Sequence, residues 1–355
     1  MSITQIKFHA TDQRDKIYGL LGLAAESRDP PGLPDSLRPD YSLSVAEVYL
    51  KVARYVLNEG SSLALLTRAR GVDGSLTGQK RQHRLDLPTW APDWSDFQVF
   101  NRDIRTSLAW VDYADTYKKA QLGFPDHYSA TTGLSLKLHP PTNPSTLRVN
   151  GIRIDCVKQA MSFATENFGK QLDWEHLTSQ TVRLLKFLMS TGIADGTLEW
   201  VIHLIKVTTV DQHRLGGRDF IQSIKDGLAF IYEVISETQN DLIAGVSSLN
   251  KDFLNRLRQH SIGGIPREYA ALAVNYCFDR SFLVTSSGRM AIGPSETQVR
   301  DTIAVVPGSG VPYVIRQRGS SWALVGESYV QGLMKGEAIE SLRDGTVQEE
   351  ILGFQ

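Results

Sequence analysis

Phe282-Leu283-Val284-Thr285, Thr302-Ile303-Ala304-Val305-Val306, Pro312-Tyr313-Val314-Ile315-Arg316 and Trp322-Ala323-Leu324-Val325-Gly326 are four apolar or alternating runs separated by Gly, Ser and Pro. Runs spaced by about ten residues suit short strands joined by turns, and they predict a small curled antiparallel sheet or a barrel. Tyr329 to Leu333 is expected to add a short helical turn against it. Upstream the pattern changes. From Leu172 to Phe278 it is helical, with predicted segments near Thr178 to Met189, Thr197 to Val207, Asp219 to Thr238, Leu249 to His260 and Pro266 to Cys277. The expected class is α+β, a mainly helical body with a C-terminal small β-domain.

Further out, Ile17, Leu20, Leu21 and Ala24 repeat at helical spacing, so a first helix is expected from Thr11 to Ala24, capped by Thr11 or Asp12. Asp29-Pro30-Pro31-Gly32-Leu33-Pro34 breaks the chain. Ser44 with Glu47 three residues on is a capping-box pattern. The amphipathic run Val45, Val48, Tyr49, Val52, Ala53, Val56 follows and ends near Gly60. Leu87-Pro88-Thr89-Trp90-Ala91-Pro92-Asp93-Trp94-Ser95 carries two prolines and two tryptophans. It reads as an extended segment pinned by aromatic burial. Leu147 to Ile154 alternates around Asn150-Gly151 and reads as a strand pair with a turn or bulge. Three regions result: 1–145, helical and irregular; 146–279, a strand pair and then helices; 280–355, the β-domain.

The 355 residues are 41% hydrophobic and 22% charged, with a net charge of −1. That balance gives no strong field for nucleic acid or an anionic membrane. The densest basic run, Lys80-Arg81-Gln82-His83-Arg84, sits among glycines and reads as a solvated loop. Cys156 and Cys277 lack the spacing of a zinc or redox pair and lie in apolar surroundings, where buried inert thiols are the default. With no signal core near Met1 and no stretch long enough to span a bilayer, a cytoplasmic protein is expected. Gly19-Leu20-Leu21-Gly22 lacks the Lys-Ser/Thr of a phosphate loop, and no GxGxxG opens a βαβ unit. The histidines show no metal-binding spacing, and Gly308-Ser309-Gly310 falls short of a nucleophile elbow. No cofactor and no metal are expected.

Three groups of residues carry candidate chemistry. Arg14, Asp15 and Tyr18 share the first helix at spacings that bring side chains together. They read either as a charge network tying the helix to a loop or as the polar wall of a pocket. Trp90, Asp93 and Trp94 read either as a hydrophobic plug with Asp93 capping a turn, or as two indoles stacked on an apolar ligand with Asp93 orienting its polar group. Tyr41, in Asp40-Tyr41-Ser42, precedes the second helix. Glu327 follows the last strand, where a carboxylate ordinarily satisfies backbone N–H groups.

Four segments also carry a family likeness: Ala10 to Ala24, with Asp12-Gln13-Arg14-Asp15-Lys16-Ile17-Tyr18-Gly19-Leu20-Leu21; Pro39-Asp40-Tyr41-Ser42-Leu43-Ser44-Val45; Leu87 to Ser95; and Arg280 to Ala338, with Ile292-Gly293-Pro294, Asp301-Thr302-Ile303 and Val325-Gly326-Glu327. In order and spacing they resemble the heterokaryon-incompatibility proteins of filamentous fungi. Those proteins usually begin with an aromatic, Leu-Ser-Tyr and Trp-Gly block, and nothing like it lies between Met1 and His9. In the family that front end is the part proposed to be Toll/interleukin-receptor-like and to trigger cell death, so that activity is not expected here. The resemblance leaves two main classes of function open, of which the first is the expected one, with a hydrolase or transferase of dispersed catalytic residues as a third option. One is a cofactor-independent cyclase of Diels–Alderase type acting on a hydrophobic terpenoid or polyketide intermediate, the kind of recruited biosynthetic protein that forms the norbornene of sordaricin. It would use Asp93, Tyr41, Arg14 and Tyr18 to polarise the substrate and Trp90 and Trp94 to bind it. The other is a non-enzymatic incompatibility or regulatory module that binds another protein.

Overall fold

The strands within residues 280–327 deal their side chains alternately to two cores. The computed structural model describes residues 10–21, 33–35, 37–60, 63–69, 71–72, 85–96, 128–163, 173–212, 219–238 and 250–355. Phe282, Val284, Ala304, Tyr313, Ile315 and Leu324 enter a large core shared with the helices. Their neighbours Leu283, Ile303, Val305, Val314, Ala323 and Val325 enter a smaller one. A period of two along a pleated strand produces this division. It also explains why these strands read as nearly continuous apolar runs, since both faces are buried.

The strands are β1 (Leu138–His139), β2 (Leu147–Ser162), β3 (Arg280–Thr285), β4 (Met290–Pro294), β5 (Thr302–Val305), β6 (Tyr313–Arg318), β7 (Ser321–Glu327), β8 (Tyr329–Val330) and β9 (Glu349–Phe354). The order β5-β6-β7-β9-β2 closes on itself through β2–β5 pairing, giving a five-stranded barrel, and β3, β4 and β8 extend the sheet beyond it. All pairings are antiparallel except β7 with β9, where Trp322 faces Phe354 in parallel.

Two sequence expectations are corrected. Asn150-Gly151 makes no turn: Leu147–Ser162 is one continuous strand. It pairs with β9 over its first residues, with β5 from Ile152 and with β3 from Val157. Register shifts between Arg153 and Asp155 and between Val157 and Gln159 let it pass from barrel to flanking sheet, as bulges do. A Cβ on Gly151 would stand 2.4 Å from Leu352 Cδ1, so that glycine serves close packing rather than reversal. Second, Tyr329–Val330 pairs with β4 as a strand instead of starting a helical turn.

The helices are α1 (Asp15–Leu21), α2 (Val45–Gly60), α3 (Trp174–Thr191), α4 (Glu199–Thr208), α5 (Phe220–Glu237), α6 (Lys251–His260), α7 (Pro266–Cys277) and α8 (Ala338–Arg343); α1 starts at Asp15 rather than Thr11, and α8 falls outside the expected segments. The expected capping box exists: Glu47 N donates to Ser44 Oγ at 3.3 Å, and Ser44 N donates to Glu47 Oε2 at 2.8 Å. Asp173, Asp219 and Asn250 accept from the first turns of α3, α5 and α6. Pro266 starts α7, where its missing N–H costs nothing. The Lys80–Arg84 run, His127, His213 and the end of the first expected helix lie outside the described residues. Among the described residues no helix is long and apolar enough to cross a membrane.

Candidate functional site

The N-terminal residues singled out in the sequence converge around α1. Tyr18 and Tyr41 meet edge to face at 5.2 Å, and the Arg14 guanidinium lies 5.1 Å over the Tyr41 ring. Arg14 is held by Asp12 at 2.7 Å and donates to the carbonyls of Tyr41 and Leu43 at 2.6 and 2.8 Å. Its hydrogen bond keeps the Asp12 carboxyl below the usual carboxylate range. Tyr41, 56% exposed, donates its hydroxyl to Asp15 at 2.5 Å, and that bond raises the Tyr41 phenol. The Tyr18 hydroxyl donates to Asp40 O at 3.0 Å and accepts from Asp40 N at 3.1 Å. These contacts tie α1 to the segment that caps α2.

The second group lies deeper. Trp90 is fully buried, its indole N–H donates to Ser145 O at 2.8 Å, and Arg54 lies 5.5 Å over its ring. Trp94 meets Tyr49 edge to face at 5.1 Å. Lys16 Nζ donates to the carbonyls of Trp94 and Ser95 at 3.1 and 3.2 Å, linking this segment to α1. Asp93 Oδ1 accepts from Ser95 N at 3.0 Å and from its hydroxyl at 2.5 Å, closing a turn. Both indoles pack in the large core, and Arg14, Asp15, Tyr18, Tyr41, Asp93 and the Trp90 N–H each have a hydrogen-bond partner within the chain.

A third group was not assembled from sequence. Arg280 at the start of β3 and Glu327 at the end of β7 form an ion pair at 2.8 Å with side-chain exposures of 0% and 5%. Glu327 thus meets a guanidinium where backbone amides were expected. Arg280 also donates to Glu327 O at 3.3 Å. The α7-to-β3 junction bends through Asp279 at φ 51, and Asp279 Oδ1 accepts from Ser295 Oγ at 2.8 Å. Nearby, Ser309 Oγ donates to Tyr313 Oη at 2.9 Å. Tyr128 donates its hydroxyl to Val210 O and accepts from Gln212 Nε2 at 2.8 Å. Val210 and Asp211 follow α4 at φ 48 and 56. A β-branched residue in the left-handed region costs on the order of 1–3 kcal/mol, and the contacts of Tyr128 and Gln212 help fix it. Burial pushes up the Tyr128 and Tyr313 phenols and the Cys277 thiol, so all three are protonated at neutral pH. This group is a buried polar brace between the helices and the β-structure. The sequence hid it because Arg280 and Glu327 are 47 residues apart.

Two open clefts lie elsewhere. One, of about 430 Å³, runs between α5 and the α6–α7 turn. The other, of about 530 Å³, lies between β2 and β9 and includes Cys156. Neither is lined by Trp90, Asp93 or Trp94. Cys156 is half-buried rather than buried, with its sulfur 3.3 Å from Ser286 Oγ, because the bulged β2 opens beside it. Cys277 is buried, as expected.

Residues 188–345 match the Het-6 beta-barrel domain family. That span contains α4 to α8 and β3 to β8, while β2 and β9, which close the barrel, lie outside it. The chain is 24% identical over 374 aligned residues to "Heterokaryon incompatibility protein 6, OR allele" of Neurospora crassa, covering 93% of this chain and 49% of that protein. It thus spans about half the length of the curated relative it matches. No solved structure matches the chain. Both similarities support the heterokaryon-incompatibility resemblance, and neither points to a cyclase.

Proposed function

We propose that this chain is a non-enzymatic interaction module of the heterokaryon-incompatibility type, which binds another protein through a surface of its helical body. The observation that carries this reading is a set of exposed apolar side chains on adjoining segments. Phe220 and Ile221 open α5 at 41% and 68% exposure, and Ile262 and Ile265 follow α6 at 71% and 46%. Gln222 Nε2 donates to Gly263 O, and Ile265 N donates to Asp226 Oδ1, both at 2.8 Å, so the two segments abut. Apolar surface grouped in this way is a feature of protein interfaces.

The competing proposal is the cofactor-independent cyclase. It needs Trp90 and Trp94 to wall a chamber and Asp93, Tyr41, Arg14 or Tyr18 to polarise a substrate. The core packing of both indoles and the internal partners of those four polar residues favour the interaction reading.

Two measurements separate them. Tryptophan fluorescence is followed during titration with a linear C20 isoprenoid alcohol, for wild type and for a folded Trp94→Ala variant. No saturable change is expected. Saturable binding lost in Trp94→Ala would restore the cyclase. In parallel, a photo-crosslinking residue at Gln259, exposed on α6 three residues before Ile262, is used in fungal hyphae. A discrete protein adduct lost in Ile221→Ser with Ile262→Ser is expected, whereas an adduct unchanged by those substitutions would overturn the proposed surface.

A further inference from the structure

The cleft beside those apolar residues has a definite chemistry. Its walls are Ala229, Tyr232, Glu233 and Glu237 of α5, with Gly264 and Pro266 of the α6–α7 turn. Backbone approaches backbone at its end: a Cβ on Gly264 would stand 2.2 Å from Lys225 O. Only glycine permits that contact, which holds the turn against α5 and defines the cleft's edge. The lining is largely apolar, its two charged groups are both carboxylates, and it includes no lysine or arginine. Glu233 and Glu237 stand one helical turn apart, a spacing at which like charges repel. Burial, and after it the Glu237 carboxylate, raise the Glu233 carboxyl. A cation in this cleft would offset that repulsion.

The apolar residues continue the surface at the α5 N-terminal end. Basic groups flank this surface as well: Lys206 lies 4.9 Å over the Phe220 ring, and Arg258 and Arg267 stand on either side of the α6–α7 turn, outside the cleft lining. The same edge thus offers an apolar strip next to an acid-lined cleft whose volume is enough for one long side chain and part of its backbone.

We infer that this edge receives an amphipathic helix of a partner protein, with apolar side chains on Ile221, Ile262 and Ile265 and a lysine or arginine entering the cleft between Glu233 and Glu237. This rests on the interaction-module reading and adds the partner's chemistry. Charge complementarity selects the occupant: an apolar stem runs along Ala229, Tyr232 and Pro266 while its cationic head meets the carboxylates.

The probe is a fluorescein-labelled synthetic helix of about five turns, with leucine on one face and lysine on the other. Its control replaces lysine with glutamate. Anisotropy is measured with the full chain at roughly physiological salt. Saturable one-to-one binding of the lysine peptide is expected. It should weaken about tenfold in Glu233→Gln with Glu237→Gln, and again in Ile262→Ser. The glutamate peptide should bind at least about tenfold more weakly than the lysine peptide. Equal binding of both peptides, or lysine-peptide binding unaffected by these exposed substitutions, would overturn the proposal. Sedimentation of the free chain supplies the second arm. A dimer that Ile262→Ser dissociates would overturn the foreign helix and name a second copy as occupant, leaving the interaction-module reading intact. Failure of peptide binding together with isoprenoid binding lost in Trp94→Ala would instead remove that reading itself.

Discussion

Arg14 and Asp12 lie 2.7 Å apart near the surface, with side chains 23% and 33% exposed. Arg280 and Glu327 lie 2.8 Å apart at the junction of helices and sheet, with 0% and 5% exposed. The distances are nearly equal, so Coulomb geometry does not separate the pairs. Solvent does. Water screens the outer pair and hydrates either partner when the other is removed. The inner pair has been stripped of water, and each charge depends on the other. The outer pair orients a loop, whereas the inner pair is a commitment made by the whole fold.

Substitution of Glu327 should break this contrast most sharply. Glu327→Ala leaves the Arg280 guanidinium buried without its carboxylate and should cost about 3–5 kcal/mol in denaturant unfolding. The double replacement Arg280→Met with Glu327→Leu should recover much of that loss, because it removes both buried charges. If the single and double variants were equally unstable, the ion pair would not be the source of the penalty.

A smaller effect is expected where one local contact is lost. Ser44→Ala removes the oxygen that accepts from Glu47 N and should cost about 1 kcal/mol, with thermal unfolding as the readout. At the outer ion pair, Asp12→Asn should leave the unfolding midpoint almost unchanged and reduce its salt dependence. A large midpoint shift there would show that the surface pair shares the inner pair's burden.

A further small effect has a pH sign. The Glu233 carboxyl is raised above its ordinary 4.5 by burial and by Glu237. The folded state therefore holds that proton more tightly than the unfolded chain. Its stabilising contribution is present below 4.5 and is lost as pH rises through the folded value. Glu233→Gln should stabilise the protein at neutral pH by about 0.2–0.5 kcal/mol, the scale of a like-charge pair one turn apart, with the gain disappearing in acid. A gain that persisted or grew in acid would reverse the assignment.

Much of this architecture was legible in sequence because its signals are local. The α4, α5 and α7 segments fall within a residue or two of their expected limits, and the Ser44–Glu47 cap forms as its spacing requires. β3, β5, β6 and β7 announced themselves by apolar runs. Asn150-Gly151 misled because the dipeptide favours a reversal in isolation, while β9 and the bulged path of β2 hold it extended. The convergence of Arg14, Tyr18 and Tyr41 was partly readable, since Arg14 directly precedes α1 and Tyr18 lies one turn further on. That Tyr41 caps the cluster through Asp15 was not.

Periodicity, caps and turn residues determined most of the helices and the strands β3, β5, β6 and β7, because each depends on neighbours within a few positions along the chain. Tertiary structure alone decided that β2 and β9 close the barrel, that Arg280 finds Glu327, and that the α5 edge carries exposed isoleucines beside two carboxylates. Those outcomes depend on which distant surfaces exclude water together, and no local window of sequence contains that information.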